Sequence, residues 1–240
     1  MTGSRNKTPA DYRDILSQGL PLVGGQAVNL WALYFVERVR ELAELRPFTS
    51  FDIDVLLSGP AAARLATQMG WTFQPKKMWE LSALEGVLIT PDGRKVEVIG
   101  SVYGLTAREV RDHLKKVTIQ GFTCTVLSPP ALLKGKLACA ACLPQIGEEP
   151  RQDGKHVQML LGCVRMYMVD MIAACSQGAV SEREVLDELA FIRESLVGKH
   201  AKLCGVVGQA SEVIPWKALE QAKSERLRRY ATNRTNLFAG

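Results

Sequence analysis

Thr49-Ser-Phe-Asp-Ile-Asp-Val-Leu-Leu57, followed at once by Ser58-Gly59-Pro60, is the stretch on which the fold turns. Phe51, Ile53 and Val55 alternate with Asp52 and Asp54, the period of a strand with one apolar and one acidic face. The alternation sets both carboxylates on one face, about 7 Å apart along the chain. Gly59-Pro60 ends the strand, and a small Ala-rich helix is expected over 61–69. Two acids spaced by one residue are a weak signal alone, because 25 acids in 240 residues give roughly two or three such pairs by chance. The strand context gives the pair its meaning. Two hard oxygen donors so placed can hold Mg²⁺ while a triphosphate completes the coordination.

Upstream, Leu20–Val23 reads as a short strand and Gly24-Gly25 as a turn. One long helix is expected from about Gln26 to Leu45, with Val28, Trp31, Leu33, Phe35, Val39 and Leu42 on a broad apolar face. Pro47 ends it. A strand, two glycines and a helix expose backbone N–H groups at a helix N-terminus, where phosphate binds. Neither glycine carries a Cβ to block that approach. A plain strand-to-helix turn is the other reading of a Gly-Gly pair. Neither G-x-G-x-x-G nor G-x-x-x-x-G-K-[ST] is present, so dinucleotide-fold and P-loop readings fail.

Downstream, Val87–Thr90, the turn Pro91-Asp92-Gly93 and Arg94–Ile99 read as a hairpin. Val96 and Val98 share one face of its second strand; Lys95, Glu97 and Ile99 share the other. If this strand neighbours 51–57, Glu97 brings a third carboxylate to Asp52 and Asp54. Three acids that close repel one another unless a cation sits among them. Three solvent-facing acids on an exposed sheet face are the alternative. Residues 9–18 suggest a short helix, 106–116 a short charged one, and 117–127 one or two further strands.

From Ser128 the character changes. Ser128-Pro129-Pro130 opens a helix to about Cys142, and a polar break spans Pro144 to Arg151. A helix follows from Asp153 to Ala174, and the capping box Ser181-Glu-Arg-Glu184 opens another to about Val197. A last helix is expected from Pro215 to Tyr230. The fold class expected is α/β (α+β): a small mixed sheet flanked by helices over 1–127, then an all-helical region over 128–240.

Composition excludes several classes. At 47% hydrophobic and 23% charged the chain is neither disordered nor fibrous, and it can bury a sizeable core. Its formal charge of +5 is unevenly placed: between Lys217 and Arg234 six basic residues face two acids, so the rest is nearly neutral. Such a tail can contact the phosphates of a nucleic acid, or it is a solvated amphipathic helix. The first twenty residues hold no apolar run of signal-peptide length, which points to a cytoplasmic chain. Met159–Cys175 is strongly apolar, but Arg165 and Asp170 interrupt it, so a buried helix is expected and no membrane span. The six cysteines lack framework spacing and read as reduced thiols, Cys139-Ala-Ala-Cys142 included.

Val23-Gly24-Gly25-Gln26 followed by Ser50-Phe-Asp52-Ile-Asp54 resembles the nucleotidyltransferase superfamily, whose signature is a Gly-Gly or Gly-Ser turn before a D-x-D or D-x-E strand. The nearest flavour is the toxin-type, AbiEii-like branch, with [ST]-x-D-x-D after a long helix. Ser128-Pro-Pro-Ala-Leu-Leu-Lys134-Gly-Lys136 resembles that branch's lysine-bearing helix. Arg151-Gln-Asp153-Gly-Lys-His156 resembles its R-x-K-D-x-x-D element, with Gln152 for the lysine and His156 for the second acid. The 27 residues between Gly25 and Asp52 are long for a minimal member.

The resemblance implies Mg²⁺- or Mn²⁺-dependent transfer of a nucleoside monophosphate from an NTP to an acceptor hydroxyl on RNA such as tRNA, a protein or a small molecule. It implies metal binding by Asp52, Asp54 and Glu97, with Glu97 completing the ligand set or acting as base. It implies nucleotide binding by Gly24, Gly25 and Ser50, with Lys136 (or Lys134) and Arg151 neutralising phosphates and Asp153 orienting the lysine or the nucleotide. A toxin-like role with an antitoxin partner belongs to the same implication, as does the alternative of a nucleotide-binding regulatory protein that has lost transfer. Trp79 and Tyr103 are candidates to stack a base, and His156 reads as a packing residue.

Overall fold

A computed structural model describes residues 7–50, 52–77, 82–119, 121–144 and 151–233. A 3₁₀ turn (Pro9–Tyr12) runs into α1 (Arg13–Leu16), β1 (Leu22–Val23), α2 (Gly24–Phe35) and α3 (Arg40–Glu44). Then come β2 (Asp54–Leu56), α4 (Gly59–Met69), β3 (Thr72–Pro75), β4 (Leu84–Ile89), β5 (Lys95–Ile99) and α5 (Ala107–Asp112). These are followed by β6 (Leu114–Ile119), β7 (Phe122–Leu127) and α6 (Pro129–Cys142). Among the described residues the further α-helices are α7 (Asp153–Ser176), α8 (Glu182–Val197), α9 (Lys199–Leu203), α10 (Ala210–Val213), α11 (Trp216–Glu220) and α12 (Glu225–Thr232). Two compact units result, one of residues 1–34 and 46–135, the other of 35–45 and 136–240.

The first unit is built on a seven-stranded mixed sheet in the order β3-β4-β5-β2-β1-β7-β6. The β1–β7 and β2–β5 pairs are parallel and the rest antiparallel. The α/β architecture with a helical C-terminal region is therefore the one the sequence predicts. Alternation decides which face is buried: Ile53, Val55, Val96 and Val98 are all fully buried, each contributing about 1.5–3 kcal/mol by leaving water. β1 is shorter than expected because Pro21 has no N–H for the ladder, although its carbonyl still accepts from Leu56 N at 2.8 Å. Trp31 Nε1 donates to the Leu127 carbonyl at 2.9 Å and ties α2 to the end of β7.

Local chemistry explains the other boundaries. The charged helix expected over 106–116 ends at Asp112, held by a capping box in which Thr106 Oγ1 accepts from Glu109 N at 3.2 Å. Ser128 begins α6, its carbonyl accepting from Leu132 N at 2.9 Å, but its buried hydroxyl turns to His113 Nδ1 at 3.2 Å. At the β4–β5 turn Gly93 takes φ +81°, the left-handed conformation the turn needs. Arg94 then reaches Asp14 Oδ1 and Oδ2 at 2.7 and 2.6 Å, Asp92 at 2.8 Å and the Asp11 carbonyl at 2.9 Å. Arg94→Ala is expected to cost about 1–2 kcal/mol in thermal unfolding, because its bonds to the N-terminal segment and to the turn are lost together at a partly screened site.

The single helix expected over 26–45 is replaced by two, α2 and α3, of which α3 belongs to the second unit. Val39 is extended (φ −131°, ψ 100°) and starts α3, so that Val39 and Leu42 are buried against α7 beside Gly162. β-branched Val36 and Val39 favour that break. α7 is long and apolar enough to cross a membrane by length and composition alone. Its two interrupting charges are paired within the unit, Arg165 with Glu41 at 3.3 Å and Asp170 with Arg38 at 2.5 Å. Val157, Leu160, Cys163, Val164, Met168 and Ile172 line its buried face. The last helix expected over 215–230 is also two, α11 and α12. Ser224 starts the second, its Oγ accepting from Leu227 N at 3.3 Å.

Candidate active site

The site grows from the junction of β1 and α2. Gly24 follows the last residue of β1 and takes φ +66°, which L residues rarely adopt. Val23 stands opposite Asp54 in the antiparallel β1–β2 ladder, and Asp54 stands opposite Glu97 in the parallel β2–β5 ladder. Residues directly opposite share a face, so the two carboxylates lie side by side. The Asp54 carboxylate also fills the space where a Gly24 side chain would be: a Cβ there would lie 2.7 Å from Asp54 Cγ and collide with Oδ2. One glycine thus meets both a backbone requirement and a packing requirement.

Electrostatics follow from that crowding. Glu97 is pushed up to about 7, first by burial, then by the charges of Asp54 and Asp52, and by a hydrogen bond with the Asp54 side chain. In its protonated form the Glu97 carboxyl is the donor of that bond and the Asp54 carboxylate the acceptor. Asp52 is exposed, just ahead of β2. Among the described residues no three His, Cys, Asp or Glu side chains already surround one point in the manner of a metal site. The structure therefore brings Gly24, Asp54 and Glu97 together, with Asp52 near enough for its charge to be felt.

The raised Glu97 value has a consequence for stability. An acid whose folded value lies above its unfolded value of 4.5 contributes stability that is complete below 4.5 and lost as pH rises through about 7. In chelator-treated protein the unfolding free energy should fall by about 1–2 kcal/mol from pH 5 to pH 8 after allowance for solvent screening. Glu97→Gln should flatten that fall in chemical denaturation. Equal slopes in the two proteins would show that the carboxylates are uncoupled.

Ser50 and Gly25 lie beside this row. Ser50 pairs its backbone with Lys7, N to O at 3.0 Å in both directions. Gly25 is buried in the first turn of α2. Gln26, fully buried, donates its Nε2 to the Lys7 carbonyl at 2.8 Å and accepts from Asn29 Nδ2 at 3.3 Å. These two residues hold the segment leading into β2. The readable signal was a pair of polar residues, three apart, on the buried face of an otherwise apolar helix.

The other expected ligands lie in the second unit and form their own cluster. Lys136 Nζ reaches Asp153 Oδ1 at 2.7 Å, and Arg151 reaches Asp153 Oδ2 with Nε at 2.7 Å and Nη2 at 2.6 Å. Burial alone would raise Asp153, but the two cations hold its carboxyl below the usual range. His156 is buried beside them, pushed down to about 3 by burial and then by the Lys136 charge. Lys134 belongs to the first unit and pairs with Glu109. Tyr103 is exposed, and Trp79 lies outside the described residues, as does Arg234 of the basic tail.

Three other cations of that tail make contacts within the second unit. Arg228 Nη1 donates to the Ala222 and Lys223 carbonyls at 2.7 and 2.8 Å, Lys223 Nζ to the Ser176 carbonyl at 3.3 Å, and Arg229 pairs with Glu225 at 2.6 Å. Of these, the Lys223 contact falls on the last carbonyl of α7, where a cation stabilises the helix end.

No protein-family model and no curated protein matches the sequence. Among solved structures, an antigenic nucleotidyltransferase-like protein from Paracoccidioides brasiliensis is similar over 84% of this chain and 95% of that one, with a TM-score of 0.42 and 10% identity.

Proposed function

We propose that this chain is a nucleotidyltransferase, moving a nucleoside monophosphate from an NTP to an acceptor hydroxyl. The observation that carries this reading is the row Gly24–Asp54–Glu97, in which two carboxylates stand opposite each other in register and one of them fills the place of a glycine side chain at the start of a helix. The donor set fits a divalent cation, since hard oxygens that repel one another are relieved by the same charge that a proton now supplies. Asp54 and Asp52 would hold Mg²⁺ or Mn²⁺, and the bound ion supplies charge neutralisation on the triphosphate and the leaving pyrophosphate.

The chain's own residues supply the rest. Glu97, opposite Asp54 in the β2–β5 register, is placed to take a proton from the acceptor hydroxyl. α2 offers the amides of its first turn, from Gly24 and Gly25 onward, to phosphate oxygens. Gly24 keeps the Asp54 carboxylate tucked beside that turn. The acceptor, whether tRNA, protein or small molecule, and a toxin-like role with an antitoxin partner rest on the sequence resemblance.

The test is incubation with each α-labelled NTP, Mg²⁺ and either total tRNA or cell lysate. Label should pass to an acceptor, vanish with chelator, and fall on the order of 10³-fold in Asp52→Ala and Asp54→Ala. NTP binding without transfer under all conditions would replace this reading with that of a nucleotide-binding regulator. Absence of both NTP and Mn²⁺ binding removes the two together.

A further inference from the structure

Three of the six cysteines gather near the ends of two helices of the second unit. Cys139 and Cys142 lie one turn apart on α6, and Cys142, its last residue, is exposed. Cys204 follows α9 directly and is partly exposed. Its side chain is turned toward α6, with Sγ 3.6 Å from the Leu137 carbonyl oxygen to which it donates. At 1.5 Å per residue, Cys142 lies five residues, about 7.5 Å of rise, beyond Leu137 on the same helix, in the direction in which that carbonyl points. The proximity is felt electrostatically too: burial, and then the Cys142 sulfur, hold the Cys204 thiol above the ordinary range. Cys142 buries little in the core, so packing alone gives no reason for a thiol there.

We propose that Cys142 and Cys204 form a reversible disulfide, closed by a low-molecular-weight disulfide and reopened by a thiol, tying the end of α6 to the end of α9. The exposed Cys142 loses its proton and attacks one sulfur of oxidised glutathione. The glutathione S–S bond breaks, a mixed disulfide forms on Cys142, and one glutathione leaves as the thiol. Cys204 then loses its proton and attacks the Cys142 sulfur, expelling the second glutathione. Two protein thiols are oxidised, one small disulfide is reduced, and the two protons end on the two glutathione thiols.

Exposure assigns the order, because the more buried Cys204 meets solvent disulfides less readily than Cys142 does. The rival pair, Cys139 with Cys142, has Cβ atoms about 5–6 Å apart on one helix face, beyond the roughly 3.5–4.5 Å a disulfide accepts. Closing it would unwind the last turn of α6. Cys204 approaches from a separate segment, just past the end of α9.

The full chain should be treated with oxidised glutathione, alkylated, digested with trypsin and analysed by mass spectrometry. The peptide 137–151 should appear cross-linked to 203–217 in most molecules, and the link should vanish with dithiothreitol. Fragment ions should place it on Cys142, and Cys139→Ser should leave it intact while Cys142→Ser and Cys204→Ser abolish it. Oxidation should also raise the melting temperature by several degrees, reversibly, since the bond closes a long loop in the unfolded chain. Glutathione retained on Cys142 without a cross-link, or a closed Cys139–Cys142 loop, overturns the proposal.

Discussion

Gly24→Ala should abolish nucleotidyl transfer and destabilise the first unit by about 3 kcal/mol or more, the sum of a backbone and a packing effect. The backbone part comes from φ +66°, where an L side chain costs about 1–2 kcal/mol. The packing part comes from the Asp54 carboxylate, which occupies the place of the new methyl. Asp54 cannot retreat freely, because Val23 and Glu97 flank it in register on either side. It must rotate away from Glu97, and the two carboxyls then lose their hydrogen bond. Gly19→Ala separates the two effects: Gly19 has φ +79°, and a methyl added there meets nothing within 4 Å. That variant should lose only the backbone part in chemical denaturation and keep transfer. Equal losses in the two variants would remove Gly24 from the site.

Asp153→Ala should destabilise the second unit by about 3–5 kcal/mol, the cost of stripping the partner from buried charge. Asp153 is 5% exposed and receives Lys136 and Arg151 together. Without it two cations face each other beside a neutral, buried imidazole. Asp153→Asn retains an acceptor oxygen and should recover about half of the loss. Acid should act on the same cluster in two stages. His156 has a folded value of about 3 against 6.5 unfolded, so its contribution is lost as pH falls from 6.5 toward 3. Asp153, held below its ordinary value of 3.8, loses its contribution only as pH falls through that lowered value. His156→Phe should therefore flatten the denaturation midpoint between pH 6.5 and 4. An unchanged slope would mean that water reaches the imidazole.

The row of acids was legible because its information is local and periodic. Alternation over 51–57 and over 94–99 assigns Asp54 and Glu97 to one face each. That the two faces coincide depends on the parallel β2–β5 pairing, which only tertiary structure supplies. The collision that makes Gly24 indispensable was not legible for the same reason: it arises from the Val23–Asp54 register, thirty-one residues apart in sequence. The long helices were misread where an apolar pattern continues across a break. Val39 and Leu42 keep helical spacing with Phe35, yet a separate short helix carries Leu42. At the other end Ser224 interrupts a run that periodicity alone reads as continuous. Gln26 and Asn29 interrupt the apolar face of α2, but their partners, Lys7 and one another, are set by tertiary structure that the pattern does not carry.

The pairing of β1 fixes when this site can come into being. β1 is only two residues long, and its two neighbours are β2 and β7, the latter through Leu22 and Val126. A nascent chain emerging from the ribosome can assemble β2, β4 and β5 once residue 99 is out. The strand that delivers Gly24 stays half-covered until residue 126 follows. Pairings across such long separations close slowly because loop entropy precedes any gain. The β1–β2 register can bring Gly24 to Asp54 before then, but the turn gains its second neighbour only late in synthesis, and a first unit truncated before β7 should hold the glycine turn less firmly against the acids.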